Sequence, residues 1–257
     1  MLRLSLSQIL ERFSNTARGL ALVLRGPGYS HVRAAGGDRE LFRLLARPWM
    51  DRQRITAVLD VGANEGQAAV AFRALFPQAE IHSFEPQPEP GKRLRERFAQ
   101  DARVHLHAIA CGSESAVLPL QVAEFSPASS LLKSCALGGE TSDVPAVNQN
   151  STIKVPVERL DQYGPLRNLP AGSWLLKLDV QGFELEVLRG AEGLLPNVEF
   201  IICEVLLADF YENQTKAEDI FAFLRARGFV PIDFDDPIRA ARSQQTLYLD
   251  VAFAAQR

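Results

Sequence analysis

Cysteine is scarce in this chain. Its three residues, Cys111, Cys135 and Cys203, show no Cys-x-x-Cys spacing and no even-numbered framework. That argues against a disulfide-stapled fold. Cys111 and Cys203 lie in or beside apolar runs and read as reduced core residues of a cytoplasmic protein. No apolar run approaches the roughly 18 residues that suggest a membrane span. The start lacks the basic, apolar and small-residue blocks of a secretory leader. A basic surplus is missing too: 28 Lys and Arg face 31 Asp and Glu, for a net charge of -3. Nucleic-acid binders usually carry a basic patch, so no nucleic-acid partner is expected. Walker loops, nucleophile elbows and zinc-ligand spacings are also absent.

What is present begins at Val58-Leu59-Asp60-Val61-Gly62-Ala63-Asn64-Glu65-Gly66, an apolar run entering a glycine turn. A second run, Ile81-His82-Ser83-Phe84-Glu85-Pro86, ends on an acid one βαβ step later. Parallel α/β sheets hold nucleosides this way, with backbone at the first strand tip and a carboxylate at the second. The glycine spacing departs from the Gly-x-Gly-x-x-Gly of dinucleotide sites, because Ala63 and Asn64 replace the middle glycine. A ligand with ribose and adenine but no pyrophosphate fits better, and S-adenosylmethionine is the common one. Glu85 would accept the ribose hydroxyls. Gly62 would admit the ligand to the backbone, and Gly66 would let the helix start pack closely. Asp60 would meet the ligand's ammonium end, and Asn64 with its neighbouring N–H groups the carboxylate. Ala110, ending strand three, would contact the adenine.

From Ile55 onward strands and helices alternate, which predicts a mostly parallel sheet with helices on both faces. Strands are expected at 56–61, 80–84, 103–109, 173–179, 199–206, 228–234 and 245–254. Helices are expected at 66–76, 88–99, 183–195 and 215–227. No helix separates the last two strands, so they should pair antiparallel at one edge of about seven strands. The domain organisation expected is a helical appendage, 1–54, before one domain, 55–257, with an insert at 112–172. Within the appendage, Asp38 caps a helix over 38–52, broken near Pro48. Residues 1–25 read as a helix packed on the domain or on the second subunit of a homodimer. A basic amphipathic segment touching an anionic membrane is the alternative. The insert carries β-like runs at 115–122 and 152–158 around Ser126-Pro127-Ala128-Ser129-Ser130, and reads as a lid or substrate loop.

Trp174-Leu175-Leu176-Lys177-Leu178-Asp179-Val180-Gln181-Gly182-Phe183-Glu184 places charge on a strand that should be buried. Charge is costly there unless paired or at the strand end. Asp179 falls at that end, and strand five delivers Glu204 beside it. The plain alternative is a structural Lys–acid network. His105 and His107 share one side of strand three and read as packing residues.

Four blocks give the chain its resemblance to the FkbM family of S-adenosylmethionine-dependent methyltransferases, over roughly residues 55–235. These are Leu59-Asp60-Val61-Gly62-Ala63-Asn64-x-Gly66, Phe84-Glu85-Pro86, Val157-Glu158-Arg159-Leu160-Asp161, and Leu176-Lys177-Leu178-Asp179-Val180-Gln181-Gly182-x-Glu184 with Val187-Leu188-x-Gly190-Ala191. The resemblance implies a Rossmann-like class I methyltransferase sheet. It also implies O-methylation of a sugar, polysaccharide or secondary metabolite, leaving the small-molecule or glycan acceptor unnamed. The family more often has an acid where Gln181 stands. Asp179 is the first candidate for the base that takes the acceptor proton, Glu204 the second, and Lys177 would orient a carboxylate. Mg²⁺ on Asp179 and Glu204 is the less favoured variant, since no third oxygen ligand is evident. A nicotinamide-dependent oxidoreductase and a silent nucleoside-binding assembly protein are the competing classes.

Overall fold

A computed structural model describes residues 28–135 and 144–256. The expected helix over 1–25, with its membrane or subunit contact, lies outside the described residues, as does part of the stretch 134–151. Among the described residues no helix is long and apolar enough to cross a membrane.

The chain forms strands β1 (Ile55–Val61), β2 (Glu80–Phe84), β3 (Val104–His107), β4 (Ala110–Cys111), β5 (Ala116–Ala123) and β6 (Gln149–Glu158), then β7 (Ser173–Leu178), β8 (Val198–Leu206), β9 (Phe229–Phe234), β10 (Ile238–Arg239) and β11 (Thr246–Ala255). The main sheet has the order β10-β11-β8-β7-β1-β2-β3, and β9 also pairs with β11. Strands β1, β2, β3, β7 and β8 run parallel. Strand β11 is antiparallel to β8 and to β9, as the helix-free connection before it requires. It lies at that margin of the sheet, with β9 and β10 along its outer side. The two-residue β10 raises the strand count to eight.

Buried on both faces, β1, β7 and β8 are apolar at nearly every position. Their alternate residues supply two cores. On one face Leu59, Leu176 and Ile201 pack with Val187 and Leu188 of α5 (Glu184–Gly190) and with Ile220 and Leu224 of α6 (Ala217–Ala226). On the other face Val58, Leu175 and Ile202 meet Leu41, Leu44 and Leu45 of α2 (Arg39–Leu45) and Phe72 of α3 (Gln67–Leu75). Asp38 caps α2, its carboxylate accepting the Leu41 N–H at 2.9 Å. A short α1 (Tyr29–Ala34) packs Val32 beside α3, and α4 (Pro88–Arg97) follows β2.

The expected strand at 103–109 is divided. β3 stays in the main sheet, whereas β4 leaves it to pair with β6. Strands β5 and β6, the two β-like runs of the insert, pair antiparallel. Their hairpin stands over the C-terminal ends of the main strands. The helix expected at 183–195 stops at Gly190 and continues as a 3₁₀ segment, Glu192–Asn197, that contains Pro196.

Candidate active site

The C-terminal ends of β1, β2 and β7 surround one cavity. Gly62 takes φ +82° at the tip of β1, and the N–H groups of Gly62 and Ala63 both donate to the Phe84 carbonyl at 3.1 Å. This fastens the β1 turn to the end of β2. Asn64, also left-handed at φ +47°, donates its N–H to Glu85 Oε2 at 2.9 Å, and Gln87 N–H donates to Glu85 Oε1 at 2.8 Å. Each Glu85 oxygen therefore retains acceptor capacity toward the cavity. Glu85 is 3% exposed, and burial raises its carboxyl to about 7 against the opposing N–H groups of Gln87 and Asn64. Ala110, Ile109, Phe84, Val180 and Phe183 supply apolar wall.

Asp60 does not reach this wall. Its carboxylate is fully buried on the α2–α3 face, 3.6 Å from Lys177 Nζ and 3.5 Å from the Ser83 hydroxyl. The register explains the grouping, since Asp60 pairs with Ser83 on β2 and Lys177 on β7. Gly66 caps α3 at φ +82° and packs on α4, where an added Cβ would lie 3.0 Å from Phe98 and 3.1 Å from Leu94.

Lys177 is the hinge between this buried layer and the cavity. Its Nζ also donates to Asp179 Oδ2 at 3.2 Å. Burial alone would lower its pKa, but Asp179, Asp60 and Asp250 hold it above the ordinary lysine value, so it stays charged. Asp179 and Glu204 do converge, and Gln181 joins them: its Nε2 donates to Asp179 Oδ1 at 2.9 Å and to Glu204 Oε2 at 2.8 Å. Burial, with the charges of Asp179 and Asp250, pushes the Glu204 carboxyl well above the carboxylate range. The Tyr211 hydroxyl lies 2.9 Å from Gln181 Oε1 and from the Ala128 carbonyl, and can donate to either. Gln181 itself is left-handed, at φ +58°. Its carbonyl accepts the Ser130 hydroxyl at 2.7 Å.

The amide of Gln181 stands where a cation bridging Asp179 and Glu204 would sit. Among the described residues no group of three His, Cys, Asp or Glu is arranged to hold a metal ion.

A second cavity, of about 420 Å³, opens beyond Asp179. Its walls include Phe125, Phe210, Tyr211, Leu247 and Tyr248, with Gln181 and Glu204 at its inner end. Asp179 lines both cavities. The insert closes over them from one side. Ser126 accepts a hydrogen bond from Asn64 Nδ2 at 3.1 Å, and Ser129 donates to Gln87 Oε1 at 3.1 Å.

The sequence profile of the Methyltransferase FkbM domain matches residues 60–231. The chain belongs to the FkbM methyltransferase family. An FkbM-family protein is accordingly a methyltransferase, and this chain is one. It is 28% identical over 195 residues to the 2-O-methyltransferase NoeI of Sinorhizobium fredii, covering 72% of this chain and 75% of that protein. It is 32% identical over 192 residues to the methyltransferase sdnD of Sordaria araneosa, covering 67% and 73% respectively. The crystal structure of the FkbM methyltransferase from Methylobacillus flagellatus superposes with a TM-score of 0.50 at 13% identity, over 91% of this chain and 60% of that one.

The remaining FkbM blocks brace the site from outside. Arg159 forms a two-pronged pair with Asp161 at 3.0 and 2.7 Å and donates to the Ser113 carbonyl at 2.6 Å. Gly190 permits α5 to cross the Gly112 backbone, where a Cβ would lie 1.9 Å from the carbonyl oxygen. The histidines form a packed row instead. His105 meets Glu80 at 2.8 Å, and His82 and His107 share a hydrogen bond at 2.9 Å. Cys111, Cys135 and Cys203 are free thiols.

Sequence reasoning passed over Tyr211, Gln87, Tyr248 and Asp250. Asp250 had a signal, a charge alternating with apolar residues on β11. Tyr211 had none, because its role depends on a loop reaching back to Gln181.

Proposed function

We propose that this chain is an S-adenosylmethionine-dependent O-methyltransferase acting on a hydroxyl of a small-molecule or glycan acceptor, with Asp179 as the base. The observation that carries this reading is the position of Asp179 on the wall between the two cavities. The residues of the first cavity suit the cofactor. Glu85 keeps acceptor capacity for two ribose hydroxyls, the side-chain-free Gly62 opens the strand tip, and Ala110 with Phe183 gives an apolar slot for a purine. Asn64 lines this cavity, but its N–H is held by Glu85 and its side-chain amide by Ser126, so it shapes the strand tip rather than supplying the free donors expected for a carboxylate. Asp60, set back behind Lys177, acts on the ligand's ammonium only through the field of the pair.

S-adenosylmethionine, when bound, supplies a methyl group already activated as an electrophile. The chain's own contribution is alignment, which can be worth about 7–11 kcal/mol, and removal of the acceptor's hydroxyl proton. The acceptor oxygen would approach from the second cavity. Lys177 and Gln181 fix one oxygen each of Asp179, turning the carboxylate and leaving lone pairs for the acceptor O–H. Asp179 would take the hydroxyl proton, the methyl group's bond to sulfur breaking as its bond to the acceptor oxygen forms and S-adenosylhomocysteine leaving. Glu204, whose carboxyl burial shifts toward the protonated form, is a supporting group rather than the base. The "2-O" in the name of the Sinorhizobium relative supports oxygen as the methylated atom.

The test is calorimetric titration with S-adenosylhomocysteine, with NADH as the comparison. Micromolar binding of the first alone supports the reading. Folded protein that binds NADH and not S-adenosylhomocysteine would refute it.

A further inference from the structure

The second cavity has a charge pattern that bears on what enters it. Among the described residues lining it there is no Lys, Arg or His. Its ionisable carboxyls are Glu124, Asp179 and Glu204. Lys177, behind Asp179, already has two carboxylate neighbours, Asp60 at 3.6 Å and Asp179 at 3.2 Å. A negatively charged ligand group would lose its hydration in this cavity and find no counter-charge.

Apart from Asn148 and Gln181, the rest of the wall is apolar or aromatic. Phe210, Tyr211 and Tyr248 line one side, and Leu206 and Leu247 continue it. At the mouth Phe125 is 71% exposed and Ile238 47% exposed, two large apolar side chains left open among the described residues. A volume of about 420 Å³ exceeds what a bare hydroxyl-bearing group needs and falls in the range of small-molecule pockets.

We infer that the acceptor is an uncharged molecule presenting its hydroxyl beside an apolar or aromatic face, and that uronates and phosphorylated sugars are excluded. The inner end of the cavity, with Asp179 and Gln181, receives the hydroxyl. The aromatic walls pack on the flanking face, as they would on an aglycone or the carbon face of a sugar ring. Glu124 acts as the charge filter near the mouth, and Phe125 as the platform. This inference rests on the proposed O-methyltransferase reading for its choice of acceptor hydroxyl.

The experiment is calorimetry on protein saturated with S-adenosylhomocysteine, using phenyl β-glucoside and phenyl β-glucuronide. The two probes differ only in that a carboxylate replaces the primary alcohol. The glucoside should bind in the millimolar range or tighter, and the glucuronide at least about tenfold more weakly. Glu124→Lys should narrow that gap, and Phe125→Ala should weaken the glucoside by about tenfold, both with unchanged S-adenosylhomocysteine affinity. Equal or tighter binding of the glucuronide overturns the inference, and so does failure of the glucoside to bind protein that holds S-adenosylhomocysteine. If S-adenosylhomocysteine itself does not bind, the cofactor reading is what fails. The same two probes titrated into the free protein then decide the charge preference alone.

Discussion

A Cβ placed on Gly62 would lie 1.8 Å from the carbonyl oxygen of Asp179. The tip of β1 and the end of β7 are thus in backbone contact, reinforced by the Asp179 N–H donating to the Val61 carbonyl at 3.1 Å. Gly62→Ala should damage both halves of the site at once. The left-handed φ costs an alanine about 1–2 kcal/mol, and the contact must open in addition. S-adenosylhomocysteine affinity, turnover and the denaturation midpoint should all fall. Unchanged turnover in this variant would contradict the coupling.

Changes at the two acids should separate. Asp179→Asn keeps the shape and removes the base, so kcat should fall by about 10²–10⁴ with S-adenosylhomocysteine affinity nearly intact. Glu204→Gln replaces a carboxyl that burial shifts toward the protonated form, and should cost less than about tenfold. Single-turnover rates with saturating cofactor distinguish the two. A larger loss at Glu204 would make it the base.

Lys177 joins two carboxylates in a nearly dry setting. The side chains of Lys177 and Asp60 are 5% and 0% exposed. Lys177→Met should therefore destabilise the fold by about 3–5 kcal/mol, mostly because Asp60 is left as an unpaired buried charge. Adding Asp60→Asn should restore much of that loss. Urea titration of the wild type, the single variant and the double variant reads the difference directly.

Stability should also respond to pH with a definite sign. Burial raises the carboxyls of Glu85, Glu184 and Asp250 to about 7 in the folded chain, above the ordinary carboxylate range. The folded state then binds more protons than the unfolded one, and stability falls as pH rises through that window. His82 and His107, lowered by burial to about 3 and about 4, oppose this only below about pH 6.5, where the unfolded histidines take up protons. The melting temperature of the cofactor-free protein should accordingly drop between about pH 6.5 and 8. Glu184→Gln should flatten the drop, since its amide oxygen can still accept the N–H groups of Val180 and Gly182. A melting temperature that rises over this range would be the contrary result.

The main sheet was legible because its signals are local and repeated. Apolar runs such as Val58–Val61 and Leu175–Leu178 end at glycine turns, and helical stretches follow them. The meeting of Asp179 with Glu204 was legible as well, because adjacent parallel strands bring their ends together. The division of 103–109 was not. It depends on β4 turning away to pair with a strand that comes much later in the chain, and no local pattern encodes such a choice. Asp60 resembled a ligand contact in sequence, yet strand alternation turns it to the buried face beside Lys177. Gln181 looked like a lost acid. Its amide in fact donates to both Asp179 and Glu204, which a carboxylate at that position could not do.

The hairpin of β5 and β6 carries Phe125, Pro127 and Ala128 into the second cavity, while Ser126 and Ser129 hold the strand-tip residues Asn64 and Gln87. On the proposed reading, the hairpin's share of acceptor choice is therefore separable from the chemistry. Exchanging the hairpin loop among relatives would retarget the enzyme without touching Glu85 or Asp179, provided the two serine anchors are kept. On the proposed reading the same anchors would also set an order of events, the loop being fastened at the nucleoside end before the acceptor arrives.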